Sequence, residues 1–184
     1  MNDTSKVSTG KPKVTGAVHW APKGTSVPTS VFDELDSAFL DLGYLTEDGV
    51  ELGFDNTSIK AWGGEDVIVF KDESVKINFL QSTDENVLKV VFGTENVTVD
   101  DETGEIHVKS MAEYSQEGAF VFDMIMRGNV PRRLVVAKGT ISEVGSVTYK
   151  DKEAIVYPVT ITCNPDETGA PHHEYIGGSS EISG

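Results

Sequence analysis

The 184-residue chain is short of several things, and each shortage closes off a class of function. Cys163 is its single cysteine, so no intramolecular disulfide can form and a disulfide-stapled exported domain is excluded. That residue reads as a small apolar strand position. No run of about 18 apolar residues occurs, which leaves no helix to span a membrane. The opening M-N-D-T-S-K-V-S-T-G lacks the apolar stretch of a signal peptide, so no export is expected and the sequons at Asn2, Asn56 and Asn96 read as chance. Bases are scarce as well. Fifteen lysines and arginines stand against thirty acids, a net charge of −15, which argues against a phosphate-gripping nucleic-acid surface.

Catalytic patterns are missing too. There is no G-x-S-x-G, no H-E-x-x-H and no phosphate-binding G-x-x-x-x-G-K-[ST]. His19, His107, His172 and His173 match no standard metal spacing, and Asp100, Asp101, Glu102 and Glu105 lack the glycine and terminal glutamate of a calcium loop. No enzyme, cofactor or metal is expected.

What is present is a strand-rich pattern organised around one helix. Ser82–Gly93, S-T-D-E-N-V-L-K-V-V-F-G, carries Ser82 and Glu85 at capping-box spacing and a glycine stop, predicting a helix over 83–92. Val87, Leu88, Val91 and Phe92 form its apolar stripe, the candidate helix-packing residues. Helical spacing also runs weakly through Phe32, Leu35, Phe39 and Leu42, allowing a short helix or an aromatic-pinned loop. Asp48-Gly49 reads as a tight turn, and Trp62 as a loop tryptophan either folded on the core or offered to a partner. Glu65–Leu80 alternates as a strand of roughly 50 Å at about 3.3 Å per residue, too long for a small core, so part must stand out, with a bend or emergence expected at Lys71-Asp72-Glu73.

Val97–Asp100 and Ile106–Lys109 flank a polar hairpin turn. Ala119–Arg127 alternates with Phe120, Phe122, Met124 and Met126 on one face and Asp123 on the other. Arg132–Val147 and Glu153–Cys163 supply two more strands, the second holding Pro158, which implies an edge or a bulge. The expected division is an N-terminal arm over 1–15, a β domain over 16–163 and a C-terminal arm over 164–184, where periodicity is lost.

Four stretches in order carry a resemblance: G-A-V-H-W-A-P-K-G-T-S-V-P-T, L-D-S-A-F-L-D-L-G-Y-L-T-E-D-G-V, I-K-A-W-G-G-E-D-V and F-L-Q-S-T-D-E-N-V-L-K-V-V-F-G. The sequence resembles the major tail tube proteins of long-tailed, non-contractile bacteriophages of the actinobacteriophage type. The resemblance implies a mainly β fold with one flanking α-helix, a sandwich or barrel shared with the secretion tube protein Hcp. It implies subunits in hexameric rings that stack into a hollow tube in the virion tail, assembled in the host cytoplasm. It further implies as partners other copies, a tape-measure protein in the lumen, tail terminator and baseplate or tail-tip proteins, and genomic DNA in transit without specific binding. No membrane is involved.

Carried onto this chain, the resemblance makes 45–64 the stacking loop, with Glu47, Asp48, Lys60 and Trp62 as inter-ring contact candidates and both arms as bridges. An acidic wall repels phosphate and lets a duplex slide, so Asp123, Glu143 and Glu153 are the lumen-charge candidates. Two other classes remain: a secretion-system tube of the same fold, and a virion decoration or carbohydrate-binding β-sandwich.

Overall fold

The computed structural model describes residues 7–60, 66–112 and 114–178, and side chains within that range except for 56–60 and 66–71. The described chain is dominated by antiparallel strands with a single α-helix. In order these are β1 (Gly10–Pro12), β2 (Val18–Pro22), β3 (Leu40–Asp41), β4 (Leu45–Lys60), β5 (Asp66–Phe79), α1 (Glu85–Phe92), β6 (Val97–Val99), β7 (Ile106–Val108), β8 (Glu117–Met126), β9 (Val130–Val144), β10 (Tyr157–Asn164) and β11 (His173–Ile176). Nine of them form one sheet in the order β3-β2-β8-β9-β10-β5-β4, with β1 added to β8 and β11 to β9, while β6 and β7 pair separately.

β9 is where the sheet divides. Its first half, Arg132–Val135, pairs with β11, and its second half, Lys138–Val144, pairs with β10. The core lies on one face of this curved sheet, where Trp20, Phe120, Phe122, Leu134 and Val136 meet Val75, Ile77, Phe79, Val159 and Ile161. Gly118 makes the β2–β8 contact possible, because a Cβ there would lie 2.2 Å from Trp20 Nε1 and 2.5 Å from the Ala21 carbonyl.

α1 closes the core over β10. Val87, Leu88, Val90 and Val91 are buried, each contributing about 1.5–3 kcal/mol on the usual transfer scale. Phe92 meets Tyr157 edge-on at 5.6 Å between ring centroids. The N-cap differs from the expected capping box: the cap is Asp84, whose Oδ1 accepts the amides of Asn86 (2.9 Å) and Val87 (3.1 Å). Ser82 stands outside the helix, and Glu85 instead pairs along the helix with Lys89. Gly93 ends the helix at φ 102°, with the Tyr114 ring where a Cβ would stand.

Several local expectations are corrected. Asp48-Gly49 is no hairpin turn: Thr46–Gly49 bulge out of the β4 ladder between Leu45↔Phe79 and Val50↔Ile77. Lys71–Glu73 holds no break, since β5 runs through it while β4 pairs alongside; the long strand is half of a hairpin. Of the two readings open for the segment after Pro28, a short helix or a loop, residues 28–39 take the loop. Asp33 Oδ2 takes the Thr29 amide at 2.8 Å, and Phe32 is 74 % exposed, so the apolar spacing there marks no buried stripe. Gly10–Pro12 and His173–Ile176, read as polar arms, are sheet strands, because edge pairing uses backbone groups and needs no apolar periodicity. Pro158 faces Asn78 on β5, the β9 ladder begins beside it at Val159, and a bulge follows between Thr160 and Ile161.

Candidate assembly surfaces

The two halves of the sheet treat their non-core faces differently. On β2, β8 and β9 the face away from the core is also buried: Ala21, Ala119, Val121 and Val135 are 2 % exposed or less. The chain between β2 and β3 covers them, clamped by Arg133, whose Nη1 donates to the carbonyls of Ser30 (3.1 Å) and Asp33 (2.7 Å).

Asp123 belongs to this clamp. Its carboxylate takes Arg133 Nε at 2.7 Å and Nη2 at 2.9 Å, a bidentate fork, and Lys13 Nζ at 3.2 Å. Burial pushes its acidity toward the neutral form, but the hydrogen bonds and charge of Arg133, with Lys13, outweigh that and hold the carboxyl below its usual range. At 4 % exposure and with its charge compensated, Asp123 is a structural anchor and offers no free charge to a lumen, a correction of the sequence expectation. Burial lowers the pKa of His19, on the same face, against the opposing pull of Asp41 and Asp123.

On the β4–β5–β10 half and the adjoining end of β9, the face away from the core is open. Register places Glu51 beside Lys76, Gly53 beside Ser74, and Asp55 beside Asp72. On the next pair, Thr160 stands opposite Glu143 and Thr162 opposite Thr140. None of these residues is buried. The result is a hydroxyl-rich surface carrying Glu51, Asp55, Asp72 and Glu143, on the side of the sheet opposite α1.

The remaining sequence candidates fall in different places. Glu153 is exposed in the β9–β10 loop, 3.2 Å from Lys150, because the strand begins only at Tyr157. Glu47 lines a cavity of about 370 Å³ between β1 and β4 with Lys11, Met124 and Arg132. Asp48 accepts from Thr46 Oγ1 and Asn78 Nδ2, both at 3.0 Å, and so pins the bulge. Lys60 is the last residue of β4, opposite Asp66, and Trp62 lies outside the described residues.

The C-terminal segment is tied to the β4–β5 hairpin through His172 and to itself through His173. His172 Nδ1 contacts the buried Glu73, with Phe54 against its ring, and His173 Nε2 lies 2.7 Å from Asp166 Oδ2. Asp166 is held well below the usual carboxylate range, first by Thr168 and then by His173. Cys163 faces the core, and burial raises its thiol to about 12, so it is no nucleophile at neutral pH.

A family profile described as phage tail tube protein matches residues 2–181. The chain belongs to the phage tail tube protein family. No curated protein matches it. As a tail tube protein it is a structural component of the virion tail that assembles into the tube with other phage tail proteins, and the family implies a non-enzymatic role. The β-rich fold with one helix fits the tail tube architecture. Among the described residues, no helix is long and apolar enough to cross a membrane.

The open hydroxyl face escaped the sequence reading as a site, although its signal is visible. Y-P-V-T-I-T-C-N alternates apolar and small polar residues, and every second side chain is one a solvated wall would use. The Asp123–Arg133 fork left no signal at the level of local pattern.

Proposed function

We propose that copies of this chain close into hexameric rings that stack into the hollow tail tube, with the open face of β4, β5, β10 and the end of β9 lining the channel. The observation that carries this reading is the contrast within one sheet: α1 seals one face into the core, while the opposite face is polar, uncovered and rich in short hydroxyl side chains. Glu51, Asp55, Asp72 and Glu143 outnumber Lys76 and Lys138 there, and Lys138 is already held by Glu167 at 2.6 Å. Such a wall repels a phosphate backbone without gripping it, the property a duplex in transit requires. The tape-measure protein occupies the same channel before DNA does, and terminator and tail-tip proteins close its ends.

The long hairpin of β4 and β5, with Glu47, Asp48, Lys60 and Trp62 as the contact candidates, bridges successive rings. Electron microscopy of the purified protein tests this reading: tubes with sixfold end-on views and an open lumen are expected, and strictly monomeric particles at high concentration overturn it.

A further inference from the structure

The core row of β5 ends in an acid. Phe79, Ile77, Val75 and Glu73 alternate onto one face, and the first three are at most 3 % exposed in the hydrophobic core. Glu73, 9 % exposed, continues the row between its register partners, Phe54 on β4 and Cys163 on β10. Its carboxyl group has one hydrogen-bond partner among the described residues, His172 Nδ1, and the same imidazole lies 6.2 Å from the Phe54 ring, centroid to centroid. Alternation and burial alone would put an apolar residue here, and an acid in that place is stable only while its partner stays with it.

Glu73 also marks a junction in the sheet. Cys163↔Glu73 is the last pair of the β10–β5 ladder, and from Asp72 back to Asp66 β5 has β4 as its only strand partner among the described residues. The hairpin leaves the sheet here. The C-terminal segment leaves it at the same level, since Cys163 faces Glu73 on one side and Gly139 of β9 on the other. β10 and β11 both pair with the edge of β9 opposite β8, β10 as far as Asn164↔Lys138 and β11 from His173↔Val135, so residues 165–172 loop out between two parts of one line of strand. Asp166 closes the neck of that loop through Thr168, Ala170 and His173, and Lys138 on β9 holds Glu167. His172, the residue before β11, reaches from the loop to Glu73.

We propose that the His172–Glu73 contact is a coupling joint between the C-terminal strand and the β4–β5 hairpin: β11 seated on β9 holds the hairpin's base, and displacing either one loosens the other. Separation leaves a buried carboxyl group without a partner at the end of an apolar row, so the two contacts are kept or lost together. Such coupling is reciprocal: whatever favours release of β11 favours loosening of the hairpin by the same factor. β11 is the element able to let go, because a four-residue edge ladder and the Arg132–Glu174 pair hold it, with Glu174 and Ile176 exposed. The joint stands apart from the tube reading, which gives it a use: a hairpin captured by the next ring passes that event to β11.

Hydrogen exchange of the full chain, followed segment by segment by mass spectrometry at a concentration below assembly, tests the joint. His172→Ala is expected to speed exchange by about tenfold both in β11 and in β5 from Asp66 to Val75, as a stranded buried group should. Glu73→Leu completes the apolar row, so β5 should stay protected while β11, its hold gone, exchanges faster. Combining the two should return β5 to the unsubstituted rate and leave β11 fast. His172→Asn, whose amide nitrogen stands where Nδ1 does and can donate to Glu73, should keep both segments near the unsubstituted rate. A change confined to β11 in His172→Ala, or unchanged β11 exchange in Glu73→Leu, overturns the coupling. Should His172→Ala yield no folded protein, the β11 rate in Glu73→Leu decides alone. Absence of tubes from the unsubstituted chain overturns the tube reading and leaves the joint standing.

Discussion

The β2–β8–β9 half and the β4–β5–β10 half share one sheet and one core, yet the first is buried on both faces and the second on one. On the doubly covered half, the second face holds alanines, valines and a compensated ion pair; on the open half the corresponding positions hold Thr, Ser, Gly and carboxylates. The contrast separates residues that make the subunit from residues that make the surface it presents. It can be broken or sharpened by substitution.

The largest effects should come from inserting a charge under α1. Leu88→Asp should leave no soluble folded protein, while Lys89→Asp on the outer side of the same helix is tolerated, as expression and circular dichroism will show. Next, Arg133→Ala strands the buried Asp123 charge and frees the Ser30 and Asp33 carbonyls, costing about 3–5 kcal/mol in denaturant unfolding. Removing both charges together as Asp123→Leu with Arg133→Met should cost less than Arg133→Ala alone.

The same pair sets an acid dependence. Asp123's folded pKa is depressed, so its contribution is present above the unfolded carboxylate value of about 3.9 and is lost as pH falls through the folded one. Unfolding scans between neutral and strongly acidic pH should show that loss, and the double replacement should flatten it.

A matched exchange then tests the two faces directly. Val135→Thr buries a hydroxyl beneath the clamped loop and should cost about 1–3 kcal/mol, whereas Thr162→Val on the open face should stay within about 0.5 kcal/mol. Equal costs would erase the distinction between halves. Asp84→Ala, which removes the cap of α1, should fall between these extremes at about 1 kcal/mol by thermal unfolding.

Much of the fold was legible because it is written in local pattern. The alternation of β8 and the stripe of α1 both name the residues that face the core, and the 97–108 hairpin was bounded within a residue at each strand end. What the pattern hid was partnership. Glu85 at capping spacing invited Ser82 as the cap, and only the path of Gln81–Asp84 shows that Asp84 aims at the amides. Gly10–Pro12 and His173–Ile176 are polar in sequence yet paired in the sheet, since hydrogen bonds to a neighbouring strand leave no mark on side-chain hydropathy. Asp123 alternated outward correctly, but which cation would meet it depended on β9 lying alongside, and so a structural anchor read as a channel charge.

Cys163 gives the molecule a practical property. The chain's single thiol is buried among Ile161 and its neighbours and stays protonated through the neutral range, so it is silent toward maleimides and disulfide reagents in the folded state. The native chain is therefore already a labelling background. A cysteine introduced at Thr160 or at Arg127 would be the one reactive sulfur in each subunit, and its accessibility to small and bulky reagents before and after assembly would report separately on the channel wall and on the end of β8.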